Sequence, residues 1–146
     1  MRRTLGVVLV VLVCFAVHAR AAVADGFVLI RNARNPTTQV SRADVRLLYT
    51  GRTRMLGGSP AMVVVRGEDD VVFARFADRV FSITPKLLLT KIKQEVFKGE
   101  MARPVKAVTD DEVIEAVSAA AGNIGVVSAS TAAKLPASVA TLALSD

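Results

Sequence analysis

Apolar residues along this chain fall into short blocks separated by polar, glycine- or proline-bearing breaks, and the spacing inside the blocks changes from strand-like to helix-like and back. Phe27-Val28-Leu29-Ile30 is a continuous apolar run of strand length that stops at Arg31-Asn32, and Asn35-Pro36 reads as a turn. Apolarity without alternation predicts a strand buried on both faces of a sheet. Ser41 then opens a helix, with Asp44 three residues later as a near capping box. Val45, Leu48 and Tyr49 share one face of that helix, the tyrosine as its anchor in the core, and Gly51 is placed to end it. Residues 52–60 are polar and glycine-rich, with Gly57-Gly58-Ser59-Pro60 as a turn. Ala61–Val65 is a second strand, and Val72, Phe73, Phe76 and Val80 recur at helical spacing until about Ser82.

Thr84-Pro85 starts the next helix, a hydroxyl cap followed by a proline whose missing N–H costs nothing there. Leu88, Ile92, Glu95 and Val96 give a mixed face and Leu89, Ile92, Val96 and Phe97 the better apolar stripe, Gly99 closes the helix, and Pro104-Val105 falls in an extended linker. Thr109-Asp110-Asp111-Glu112 predicts a capped helix start: threonine caps, Glu112 closes the box, and the aspartates meet the positive helix end. Val113, Ile114, Val117 and Ala121 supply the buried side and Gly122 the stop. Ile124–Val127 is a short strand. The Ala- and Ser-rich tail, residues 129–146, is expected to hold a loosely packed helix and a terminal strand over Val139–Leu144. Strand, helix, strand, two helices, helix, strand is the order of a layered α/β domain with a mainly parallel or mixed sheet.

The first residues have a different character. Arg2 and Arg3 precede an apolar run from Leu5 to Val17, and Ala22-Val23-Ala24 follows as a small-x-small site before Asp25. That order is the pattern of a secretory signal peptide. The run is about thirteen residues, where a membrane span needs about twenty, which disfavours an uncleaved anchor. The expected division is therefore a leader over 1–24, cleaved after Ala24 or alternatively after Ala21, and a domain over 25–146 that is soluble in the periplasm or otherwise secreted. Cys14 lies inside the apolar run rather than at the boundary, which argues against a lipid anchor. The leader carries the chain's one cysteine and one histidine, so the domain after it has neither. Its stability then has to come from its core rather than from disulfides.

Charge narrows the function. Arg2, Arg3 and Arg20 belong to the leader, so the whole-chain excess of +6 falls to +3 afterwards. Arg31, Arg34, Arg42, Arg46, Arg52 and Arg54 are dense in the N-terminal third, but few aromatics accompany them, and export removes the protein from nucleic acid. Catalysis lacks the usual base and thiol nucleophile. Asp69-Asp70 and Asp110-Asp111-Glu112 do not follow the spaced calcium-loop pattern, and the second cluster is accounted for by capping. No enzyme, cofactor or metal is expected.

Four segments in order carry a family pattern. Asn35-Pro36 with Ser41–Arg52 (SRADVRLLYTGR) resembles the opening of the second lobe of phosphate-type periplasmic substrate-binding proteins of ABC transporters. Gly58-Ser59-Pro60 is similar to that family's turn before the next strand. Val96–Pro104 is similar to its Phe-x-Gly piece running into prolines, and Thr109–Val127 to the helix and glycine-containing strand that follow. The resemblance covers roughly residues 27–128. It implies one lobe of a type II periplasmic binding protein, a mixed sheet flanked by helices, where full members have two lobes closing on phosphate. In place of the family's hydroxyl-rich anion loop this chain has Arg66-Gly67-Glu68-Asp69-Asp70, with the arginine kept and three carboxylates added.

Two functions stay open. The first is an exported substrate-binding-like protein that takes phosphate or another small oxyanion for an ABC transporter, with Arg66, Gly67 and Ser59 as ligand-binding candidates. Arg66 can fork an oxyanion or pair with Glu68 or Asp70, and Ser59 can donate to the anion or shape its turn. The second is an envelope interaction module without a small ligand. It would contact an ABC transporter membrane component, another envelope protein or a second copy of itself, with Arg52 and Arg54 as interaction candidates or as solvated surface. A single lobe cannot bury a ligand as two can, so the first reading favours a homodimer or a separate second lobe.

Overall fold

The computed structural model describes residues 26–146, so the expected leader lies outside the described residues. Five strands form the central sheet: β1 (Val28–Asn32), β5 (Met62–Val65), β6 (Val105–Lys106), β7 (Asn123–Val127) and β8 (Val139–Thr141), in the order β6-β5-β7-β1-β8. β5 runs parallel to β6 and to β7, whereas β1 pairs antiparallel with both β7 and β8. The sheet is therefore mixed, as expected. β1 lies inside it and continues through Arg31 and Asn32, because both find partners across the sheet, Arg31 with Ile124 and Ala140, Asn32 with Val139.

Helices cover both faces. The pleat sends Leu29, Val63, Val65, Ile124 and Val126 to one side and Ile30, Val64 and Val127 to the other. The first set packs against α1 (Arg42–Tyr49), α2 (Val71–Phe76) and α3 (Pro85–Phe97), the second against α4 (Asp110–Ser118). On the first side Phe76 is the hub: its ring lies 4.8 Å from that of Tyr49, 5.6 Å from Phe27, and 5.8 Å from Phe73 and Phe81. Tyr49 is fully buried and donates to the Val64 carbonyl at 3.1 Å. Burial pushes its phenol up, so it stays a donor.

The helix starts follow the sequence closely. Ser41 accepts from the Asp44 N–H and Asp44 accepts from the Ser41 N–H, a complete capping box. Thr84 caps α3 ahead of Pro85. Thr109 caps α4 through the Glu112 N–H, but Glu112 reaches past the cap to the Val108 N–H at 2.6 Å, so the box closes one residue early. Helix ends are less legible. α2 runs on into a π-helical segment, Ala77–Phe81, before Ser82 turns left-handed. α4 stops at Ser118, short of Gly122, whose backbone is not left-handed; a Cβ there would lie 1.9 Å from the Pro60 carbonyl oxygen, so the position needs glycine for close approach. Three buried asparagines satisfy backbone carbonyls, two of them at the end of α4 and the third in the segment after it and at Leu56. Asn32 donates to Val117 and Ser118, Asn123 to Ala116, and Asn35 to Ala121 and Leu56.

Four expectations are corrected. Residues 52–60 contain a hairpin, β3 (Met55–Leu56) and β4 (Ser59–Pro60), turned by Gly57-Gly58, both with positive φ. The expected linker at Val105 is edge strand β6, because backbone pairing to β5 needs no apolar run. Phe97 is 91 % exposed; the buried stripe of α3 is Leu88 and Ile92, with Leu89 and Val96 half-buried, and among the described residues no element covers Phe97. In the tail the expected single terminal strand is two short strands, while the helix before them buries none of its residues. After the short helix α5 (Ala129–Ala132), β8 joins the main sheet and β9 (Ala143–Ser145) pairs parallel with β2 (Gln39–Ser41), burying Val139 and Leu142. Among the described residues no helix is long and apolar enough to cross a membrane.

Candidate functional site

Arg66 follows β5 at its C-terminal end, and its side chain is 6 % exposed. A guanidinium carries five N–H groups on three nitrogens, and here every nitrogen has a partner within the chain. Nε donates to Asp70 Oδ2 at 2.9 Å, and Nη2 lies in ion-pair contact 2.8 Å from the same oxygen. Nη1 donates to Asp110 Oδ1 and to the Val126 carbonyl at 3.3 Å, and Nη2 also reaches the Val108 carbonyl at 3.4 Å. The arginine therefore pairs with Asp70, one of the two partners the sequence offered, and with Asp110, which only the fold brings near.

Both aspartates begin helices. Asp70 is the N-cap of α2, its Oδ1 accepting from the Phe73 N–H at 2.8 Å. Asp110 is the first residue of α4, where the helix dipole favours its charge. Its Oδ2 accepts from Ser128 Oγ at 2.6 Å, the Ser128 N–H at 3.2 Å and Thr131 Oγ1 at 2.5 Å. Ser128 in turn caps α5. Three helix starts thus converge on one arginine, and an internal carboxylate sits among the hydroxyls, the backbone N–H and the guanidinium, the donor set an oxyanion would use.

Burial alone would raise the Asp110 carboxyl, but the hydrogen bonds from Ser128, Thr131 and Arg66 outweigh it and hold the group down at about 2. A carboxyl so acidic is a poor base at neutral pH. It also makes stability depend on pH. The ionised form is favoured in the folded state relative to an unfolded aspartate near ~3.9, so its contribution is complete above about pH 4 and is lost as pH falls towards 2. Urea midpoints measured from pH 5 to 2.5 should fall, and should fall less steeply in Asp110→Asn. Asp44, lowered by its hydrogen bonds to Ser41, moves the same way and remains in both proteins as the background slope. An equal slope in both proteins would remove Asp110 from the account.

The other candidates lie elsewhere. Gly67 is exposed beside Arg66, with open space where a side chain would stand, and its carbonyl accepts from the Asp70 N–H. Ser59 belongs to the β3–β4 hairpin, before the N-terminal end of β5, so the length of that strand separates it from Arg66. Arg54 is exposed and donates to the Glu100 carbonyl at 2.8 Å. Arg52 lines a shallow depression with Thr50, Gly51, Glu95 and Glu100. Sequence reasoning missed Asp110, Ser128 and Thr131 as a cluster with Arg66. It assigned Asp110 to capping alone, and the one local signal available was Ser128-x-x-Thr131 after a strand, a cap pattern in a segment read as loose.

Beside Arg66 opens a groove of about 890 Å³ between α3 and the stretch from Arg103 to Val108.

No protein-family model and no curated protein matches the sequence. Solved structures do match in fold. A Clostridium perfringens protein, described as a phosphate ABC transporter substrate-binding protein and solved with bound phosphate, is 18% identical with a TM-score of 0.55, the match covering 82% of this chain and 44% of that one. PstS from Borrelia burgdorferi is 15% identical with a TM-score of 0.58, over 83% of this chain and 47% of its own. An ABC-type phosphate transport receptor from Vibrio cholerae is 15% identical with a TM-score of 0.52, again over 83% and 47%. The chain spans less than half the length of each, and its fold is that of one lobe of the phosphate-type binding proteins.

Proposed function

We propose that this domain is a non-catalytic envelope interaction module built on one binding-protein lobe, and not a free-standing phosphate receptor. The observation that carries the reading is the commitment of Arg66, each of whose three nitrogens is engaged within the chain by Asp70, Asp110 or the Val126 and Val108 carbonyls. The Ser128 and Thr131 hydroxyls are likewise committed to Asp110. An incoming phosphate would have to displace a carboxylate that these same groups stabilise, and would meet Glu68 and Asp69 beside it. In this reading residues 1–24 direct export, residues 25–146 form the working domain, and the partner is a protein of the envelope, ABC transporter membrane components among them.

Calorimetric titration of the purified protein with phosphate, with sulfate as control and light scattering in parallel, tests it. The expected result is no saturable heat at millimolar phosphate. Saturable phosphate binding that Arg66→Lys weakens would overturn the proposal and restore the oxyanion receptor, with a dimer by scattering supplying the missing wall. The same titration on Asp110→Asn is informative, because neutralising the internal carboxylate leaves the hydroxyls and the arginine in place. Phosphate binding that appears only in Asp110→Asn supports a site filled from within.

A further inference from the structure

The groove beside Arg66 has a distinctive distribution of charge. Its floor is apolar, with Leu89, Ile92 and Val96 from α3 facing Pro104, Ala107 and Val108. Its rim is basic on both walls: Lys86 and Lys93 on α3, Arg103 and Lys106 opposite. All four rim cations are exposed, and none is held in an ion pair among the described residues. Glu68 is the one acidic residue on the lining. Val108, at the mouth, is 76 % exposed.

The spacing of the cations identifies the occupant. Lys86 and Lys93 stand seven residues apart on one helix face, about 10 Å along the axis, and the two opposite cations follow the other wall. A ligand with a single anionic head, such as a fatty acid, would match cations gathered at one end. Cations spread along both walls of an apolar trough match a segment with acids spaced along an apolar stripe. We infer that this groove docks an acidic amphipathic segment of a partner protein, its apolar face against Leu89, Val96 and Val108 and its carboxylates against Lys86, Lys93, Arg103 and Lys106. This is the helix-in-groove mode of peptide recognition, with charge complementarity setting register and on-rate. The inference rests on the reading of the domain as an interaction module and names the surface and the partner's chemistry.

The probes are fluorescein-labelled amphipathic peptides of two helical heptads, leucines on one face and glutamates flanking them, and matched peptides with lysines in place of the glutamates. Fluorescence anisotropy against the purified protein should give saturable binding of the acidic peptides that weakens with added salt, and none of the lysine peptides. Lys86→Glu with Lys93→Glu should weaken it by about tenfold or more, whereas Lys91→Glu, on α3 but off the groove, should leave it unchanged. All three lysines are exposed, so the variants keep the fold, which circular dichroism checks. Binding indifferent to the charge reversal overturns the proposal. So does uptake of laurate or of anionic phosphatidylglycerol vesicles, but not the peptides, and so does a homodimer that those substitutions dissolve. The two readings fail separately: a protein that binds neither phosphate nor the peptides keeps the interaction reading and loses the groove, and one that binds phosphate loses both.

Discussion

Arg66→Ala should lower the free energy of unfolding by about 3–5 kcal/mol, the cost of breaking a buried ion pair by removing one partner. The arginine side chain is 6 % exposed, and the carboxylates it faces, Asp70 and Asp110, are 17% and 19% exposed. Removing the guanidinium leaves both charged and largely desolvated, each still fixed at the start of a helix, with the Val126 and Val108 carbonyls losing a donor. The damage reaches three helix starts and the end of β5 together, because Asp70 caps α2, Asp110 opens α4, and Ser128, which caps α5, hydrogen-bonds to Asp110. Arg54→Ala is the matched control. Its ion pair with Glu100 is 3.6 Å long and about two-thirds exposed on both sides, and an exposed pair of this kind is worth about 1 kcal/mol at most. Urea unfolding of both variants decides the matter. A loss at Arg66 no larger than at Arg54 would mean that the cluster is a surface feature and not a structural joint, and would remove the main support for an arginine committed to the fold.

The second large effect is expected at the aromatic hub. Phe76→Ala should cost about 3–5 kcal/mol, the usual range for deleting a buried phenyl ring. Phe76 is fully buried and shared by four ring pairs, three of them tilted or edge-on, so truncation removes transfer free energy and the ring contacts at once. Collapse into the cavity is hindered. Phe27 leads into β1, Tyr49 is pinned to Val64 by its hydroxyl, and Phe81 ends the π-helical segment, so the lining belongs to separately anchored elements. Phe97→Ala supplies the contrast: at 91 % exposure it should change stability by no more than about 0.5 kcal/mol. Thermal or urea melts of the two variants should therefore differ severalfold in effect. A Phe76→Ala protein that melts within a few degrees of the parent, with an equally sharp transition, would mean that the core on this face relaxes freely and that Phe76 is not its centre.

Local signals in the sequence correspond to local physics. Capping at Ser41, Thr84 and Thr109 was readable because a cap needs only a hydroxyl and the N–H three residues on. The burial of Val45, Leu48 and Tyr49 was readable because one helical face repeats in the chain itself. Edge strand β6 and the β3–β4 hairpin were not. A two-residue strand is defined by the backbone of its neighbour, and Val105-Lys106 carries no periodicity of its own. Phe97 was misplaced because helical spacing gives a direction around the axis but not whether any element stands there.

The same division holds at the site. The sequence by itself determined a layered α/β domain, the helix starts, the core of its strands, and an arginine in an acidic setting where the resembling family carries hydroxyls. It left open whether that arginine faces an anion or the fold. Only the tertiary structure decided that. Asp110 is 44 residues from Arg66 and Ser128 another 18 from Asp110, yet parallel pairing of β5 with β6 and β7 brings the ends of those strands, and the helices that follow them, to one edge of the sheet. Long-range partners of a charged side chain are fixed by strand order and crossover, and those are properties of the packed sheet that no local pattern of residues encodes.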